Sequence, residues 1–204
     1  MPKSTFYKLA DAKRKAFLHE AYKEFALHSF EAASITNLVK SLGIAKGSVY
    51  QYFEDKEDLH NFLVNDADRQ LIHLVDKTCP YNGEDFFDWY LRLLMVEVKF
   101  LLSFPQFALL FQKLMSESNH ARKTIAKQIE VIRLLKIKVP LPLWLADSQI
   151  NKLLLLRSPM LIFDLLTSNL DLNQIVAKGE PIYLDSKELV SVCSNWVEKL
   201  KKGL

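Results

Sequence analysis

Glycine is scarce in this sequence, with five in 204 residues, and runs that alternate apolar with polar residues are almost missing. Half-buried strands need that alternation, and the dominant signal is instead a succession of 3.6-residue periodicities, which predicts an all-α protein. Cysteine is nearly absent: Cys79 and Cys193 lie far apart with no CxxC, which argues against a disulfide framework or a zinc site and leaves two structural thiols. Long apolar runs are lacking as well. The stretch "MPKSTFYKLADAKRKAF" has no secretory apolar core, and "FLLSFPQFALLF" and "LLLLRSPMLIFDLL" are short or broken by Pro, Arg and Asp. The expectation is a cytoplasmic protein without a membrane span. No GxSxG, P-loop, HExxH or Ser/His/Asp grouping occurs, and the five histidines (His19, His28, His60, His73 and His120) include no i, i+4 pair. No enzyme activity, cofactor or metal is therefore expected.

What the sequence does have is an uneven charge. Lys plus Arg minus Asp plus Glu is 9 − 6 = +3 over residues 1–56 and 18 − 18 = 0 over residues 57–204. A small polyanion-binding head on a neutral body follows from that asymmetry. Helical patterns are expected over 8–29, 34–42, 45–52, 55–77, 83–104, 106–117, 119–137, 147–168 and 185–202, with "CPYNG", Pro105, "PLP" and "KGEP" as punctuation. Their lengths divide the chain into a three-helix head, residues 1–56, and a larger helical bundle, residues 57–204.

The head contains the most specific local pattern, "LVKSLGIAKGSVYQYFEDKEDL". Ser34 is a good N-cap, and Ile35, Leu38, Val39 and Leu42 form one buried face ahead of a left-handed stop at Gly43. With Ala45 as the next N-cap, Ile44 and Val49 have hydrophobic-staple spacing and Phe53 extends the same buried face. Two short helices about a tight turn make a helix-turn-helix. The second leaves Lys46, Gly47, Ser48, Tyr50, Gln51 and Tyr52 off the buried face. Lys46 and Lys56 each occupy the first position of a helix, where a cation costs about 0.3–1 kcal/mol against the macrodipole unless an anion docks there. Gly47, having no Cβ, permits close backbone approach to another molecule. In a major groove, base readout would rest on Lys46, Ser48 and Gln51, with Tyr50 and Tyr52 in phosphate or packing contacts. A plain turn between core helices with solvated lysines is the other reading.

The stretch "FALHSFEAASITNLVKSLGIAKGSVYQYFEDKEDL", Phe25 to Leu59, resembles the DNA-binding domain of the TetR family of bacterial transcriptional regulators. The resemblance implies that Ser34 and Thr36 contact phosphate, that Lys46, Gly47, Ser48, Tyr50, Gln51 and Tyr52 lie in or beside the major groove, and that Lys56 grips the DNA backbone. Ser29, Ala33 and Ala45 depart from the family's usual Gly, Thr and Ser or Thr. A two-fold dimer on a palindromic operator is expected, because one such head binds weakly.

The resemblance also implies a homodimer built from the last long helices, about 147–168 and 185–202, and a pocket for a small apolar or amphipathic effector. "NKLLLLRSPMLIFDLL" is apolar on nearly every side, as either a dimer helix or a central buried helix would be. Along "EDFFDWYLRLLMVEVKFLLSF", Asp88, Arg92, Lys99 and Ser103 form a polar stripe, whereas Glu97 points to the opposite side with Tyr90, Leu94, Leu101 and Phe104. A carboxylate in such company is paired, protonated or used. Arg157 or Asp164 could partner it, and Phe111, Met115 and Phe163, with Phe86, Phe107, Trp144 and Met160, could line an apolar cavity. A core ion pair and a ligand contact both remain open for Glu97. The function these features imply is an operator-binding repressor released by the effector. The alternative is a DNA-tethered module whose bundle recognises a protein partner.

Overall fold

The structure, a computed structural model, describes residues 1–116 and 149–202. Among these residues it is all-helical, with ten α-helices and no strand. They are α1 (Ser4–Tyr7), α2 (Asp11–Leu27), α3 (Ile35–Leu42), α4 (Lys46–Tyr52), α5 (Lys56–Thr78), α6 (Phe86–Ser103), α7 (Pro105–Ser116), α8 (Gln149–Thr167), α9 (Leu172–Lys178) and α10 (Ser186–Lys201). The helix expected over 119–137, and with it Trp144 and His120, lies outside the described residues.

Capping chemistry explains most boundaries. Ser34 accepts from the Asn37 N–H at the start of α3, Asp55 from the Asp58 N–H before α5, and Asp85 from the Phe87 N–H before α6. Gly43 ends α3 at φ 64°, ψ 30°, a conformation open to glycine without penalty. Two helices escaped the sequence reading. α1 has four residues, and α9 has seven, held between an Asp171 cap and Gly179 at φ 72°. A Cβ at Gly179 would also come within 3.2 Å of the His19 ring on α2.

The chain forms two compact units, neither of them contiguous. The first comprises Met1–Gln70, Pro105–Lys113 and Asp171–Glu180. The division within α5 falls at 70/71, against the expected 56/57, and two later segments join the N-terminal residues. Its core is aromatic. Phe6, Phe17, Phe53 and Phe62 are buried, and Phe17 stacks on Phe53 with ring centroids 5.9 Å apart. Elsewhere in this unit Tyr22 packs on Phe107 at 4.6 Å, and its single hydroxyl proton is shared between the Asp66 carboxylate at 2.9 Å and the Leu63 carbonyl at 3.0 Å. Ala26 meets Leu109 and Val176, so α9 has a core role despite its length.

The second unit comprises Leu71–Phe104, Leu114–Leu170 and Pro181–Leu204. Its centre is α6, against which both α8 and α10 pack. The α6 periodicity is realised: Tyr90, Leu94 and Leu101 are buried, while Asp88, Arg92, Lys99 and Ser103 face water. The Trp89 indole donates to the Cys79 carbonyl at 3.2 Å, and the Ile182 N–H donates to the Leu102 carbonyl at 2.7 Å. Both cysteines are buried and unbridged. No single helix among the described residues is long and apolar enough to cross a membrane.

Candidate nucleic-acid interface

The helix-turn-helix is α3–α4. Ile35, Leu38 and Val39 are buried on α3, and on α4 Val49 is buried one turn before Phe53. Phe53 is itself fully buried. One buried stripe on a seven-residue helix leaves the rest of its surface outward. Lys46, Gly47, Tyr50 and Gln51 are exposed and Ser48 is partly so. No side chain caps the N-terminus of α4, since Ala45 offers no oxygen. A Cβ on Gly47 would meet nothing within 4 Å, so this glycine is not required by packing. Tyr52 is turned away from this set: its ring lies edge-on to Phe17 at 5.8 Å and near Phe6 at 6.1 Å, a packing role. The staple is only partial, because Ile44 keeps 36% of its surface exposed.

On α3, Thr36 is exposed and Ser34 partly so. Ser34 is fixed twice, its Oγ accepting the Asn37 N–H at 3.4 Å while its own N–H donates to Glu24 Oε1 at 2.7 Å. Glu24 gave no sequence signal for this role.

Lys56 departs from expectation. Its ammonium donates to the carbonyls of Phe30 at 2.7 Å, Glu31 at 3.2 Å and Ala33 at 3.1 Å, and it sits 4.7 Å from the centre of the Phe30 ring. An ammonium has three protons, and three carbonyls take them. Lys56 is thus a brace between the start of α5 and the loop leading into α3, where a grip on the DNA backbone was expected. The loop 28–34 curls so that its carbonyls converge, which no local pattern announces.

The residues expected to line an effector pocket fall in both units. Glu97, Tyr90, Phe104, Arg157 and Phe163 belong to the second unit, whereas Phe111 belongs to the first, and the side chain of Met115 lies outside the described ones. Arg157 and Asp164 are exposed, and no ion pair with Glu97 is found among the described residues. Phe104 is 40% exposed and Phe163 fully buried. Glu97 is half-buried by its accessible surface, and the apolar packing around its carboxyl pushes it up to about 8. Beside it a polar chain links three helices: the Trp196 indole of α10 donates to Ser158 Oγ of α8 at 2.8 Å, and Ser158 hydrogen-bonds the Tyr90 phenol of α6. Burial, the largest cause, raises Tyr90 above its ordinary value; the Ser158 bond lowers it, and the nearby Glu97 charge adds to the rise. No group of three or more potential metal ligands occurs among the described residues.

Comparison with known proteins agrees with this geometry. The sequence profile of the bacterial regulatory proteins of the tetR family matches residues 17–61, which run from α2 into α5. The chain is 32% identical over 82 residues to the uncharacterized HTH-type transcriptional regulator YdgC of Bacillus subtilis (strain 168), a match covering 40% of this chain and 42% of that protein. The match therefore spans less than half the length of that relative. Among solved structures, a TetR family transcriptional regulator from Chloroflexus aurantiacus J-10-FL superposes with a TM-score of 0.74 at 23% identity, over 100% of this chain and 98% of that one. The fatty acid degradation regulator FadR from Bacillus halodurans has a TM-score of 0.60 at 18% identity, over 91% of this chain and 96% of that one. These likenesses extend the same all-helical fold beyond the matched head. Residues 17–61 thus match the helix-turn-helix head of the tetR family of bacterial regulatory proteins, and the rest of the chain shares the fold of solved members.

Proposed function

We propose that this protein is an operator-binding transcriptional repressor that works as a two-fold dimer and leaves its DNA when a small apolar or amphipathic effector enters the second unit. The observation that carries the reading is the outward surface of α4, where Lys46, Ser48, Tyr50 and Gln51 stand free of the core while Val49 and Phe53 anchor the helix. Lys46 suits guanine or a phosphate, Gln51 suits the N6/N7 edge of adenine, and Gly47 lets the backbone come close. Ser34 and Thr36 at the start of α3 are phosphate contacts. Lys56 supports the loop ahead of them. Dimerisation is supported by α8, whose Leu161 and Leu165, 42% and 63% exposed, share one face with Arg157 and Asp164.

Glu97 is the effector contact in this reading, with Tyr90 and Phe163 of the same unit as further candidates. A carboxyl kept neutral by burial can donate a hydrogen bond to an effector's oxygen as well as accept one. A second reading, a bundle that recognises a protein partner, draws on the same Leu161 and Leu165 surface.

Selection from a randomised duplex library followed by footprinting tests the proposal. The expected result is two protected half-sites separated by about one helical turn, roughly 34 Å, or a multiple of it. Lys46→Ala and Gln51→Ala should each weaken binding to the selected duplex by about 1–3 kcal/mol. No enrichment, or a single unpaired site untouched by both variants, would contradict it.

A further inference from the structure

A seven-residue helix standing alone would fray, and the last four carbonyls of α4 have no partner within it. The Val49 carbonyl accepts the Phe53 N–H at 2.8 Å. The other three accept from one stretch at the far end of the sequence. Lys3 Nζ donates to the Tyr50 carbonyl at 2.8 Å, Thr5 Oγ1 to the Gln51 carbonyl, and the Lys3 N–H to the Tyr52 carbonyl at 2.8 Å. The Lys3 ammonium also meets the negative end of the helix dipole. One residue beyond Thr5, Phe6 is buried, with ring centroids 5.1 Å from Phe53, 5.5 Å from Phe62 and 5.8 Å from Phe17. The Lys3–Phe6 segment is therefore built into the C-terminal end of α4.

We propose that Lys3–Phe6 is a positioning strap for α4, on which the base selectivity of the exposed Tyr50 and Gln51 and the partly exposed Ser48 depends. The inference rests on the DNA-binding reading above. Tyr50 and Gln51 project from the same peptide units whose carbonyls the strap holds. If the last turn frays, both side chains lose their fixed direction, and the ordering must then be supplied at the moment of binding. Base edges demand defined hydrogen-bond geometry, whereas phosphate contacts made by mobile cations tolerate its loss. The strap thus acts on selectivity more than on general attraction to DNA.

The test compares full-length protein with Thr5→Val, Thr5→Ser and a deletion of residues 2–5. Each is titrated against the duplex that the wild type selects from a random library and against a scrambled duplex of equal length, with circular dichroism as the check on folding. Thr5→Val should bind the selected duplex about fivefold more weakly and the deletion about tenfold or more, in line with one and several lost hydrogen bonds. Affinity for the scrambled duplex should hardly change, and Thr5→Ser should restore the wild-type ratio. Equal losses on both duplexes, or an unchanged ratio in Thr5→Val and the deletion, would overturn the strap. A wild type that binds neither duplex in a salt-sensitive manner would instead overturn the DNA-binding reading, and the strap with it.

Discussion

Lys46 and Lys56 occupy the same local position, the first residue of a helix, yet one is exposed and the other donates to three loop carbonyls. Their variants should separate accordingly. Lys56→Ala orphans those carbonyls and should cost about 2 kcal/mol of stability in chemical denaturation, whereas Lys46→Ala should stay within about 0.5 kcal/mol. Equal effects would remove the distinction. Glu97 offers a second test at this scale. Its folded-state value of about 8 lies above the ordinary 4.5, so between these values the folded protein holds a proton that the unfolded chain has released. Stability from this group is full below about 4.5, falls as pH rises toward 8, and is flat beyond. Glu97→Gln should abolish that slope, so its advantage over wild type should grow by more than about 1 kcal/mol between pH 5 and pH 8 in urea titrations. Parallel pH profiles would show that the carboxylate finds a charged or hydrogen-bonding partner.

Single elements were legible where a cap and a stop bracket an apolar stripe. Ser34 with Gly43, and Asp55 ahead of α5, carry their boundaries in residue type alone. α1 and α9 were missed because four and seven residues are too few for a periodicity to declare itself, although Asp171 and Gly179 were usable signals for the second. The candidate interface divides in the same way. The outward set on α4 follows from the period of the helix, whereas the brace by Lys56 and the hold of Glu24 on Ser34 depend on how loop 28–34 curls. Gly47 permits a test specific to α4. Open space around its Cβ position means that Gly47→Ala should stabilise the fold by up to about 1 kcal/mol through helix propensity. The same methyl stands where the backbone would approach DNA, so duplex affinity should fall. Thermal denaturation and duplex titration of this one variant should move in opposite directions, and a joint rise would place Gly47 away from the interface.

At the level of the whole molecule, Pro105–Lys113 and Asp171–Glu180 join the N-terminal residues in one compact unit, an arrangement between distant segments that no local pattern encodes. The exposed Leu161 and Leu165 of α8 were foreshadowed by a helix apolar on nearly every side. If that face joins two copies, Leu165→Glu should yield monomers by analytical ultracentrifugation with little change in helical content, and duplex affinity should drop with the loss of the second head. A variant that remains dimeric would move the interface elsewhere. The most direct measurement is the salt dependence of binding to the selected duplex. Neutralising several phosphates should make log K fall linearly with log salt, by roughly 0.9 for each phosphate engaged, with a shallower line for Lys46→Ala. A wild-type line that is flat, or one that Lys46→Ala overlays, would contradict docking of α4 on DNA.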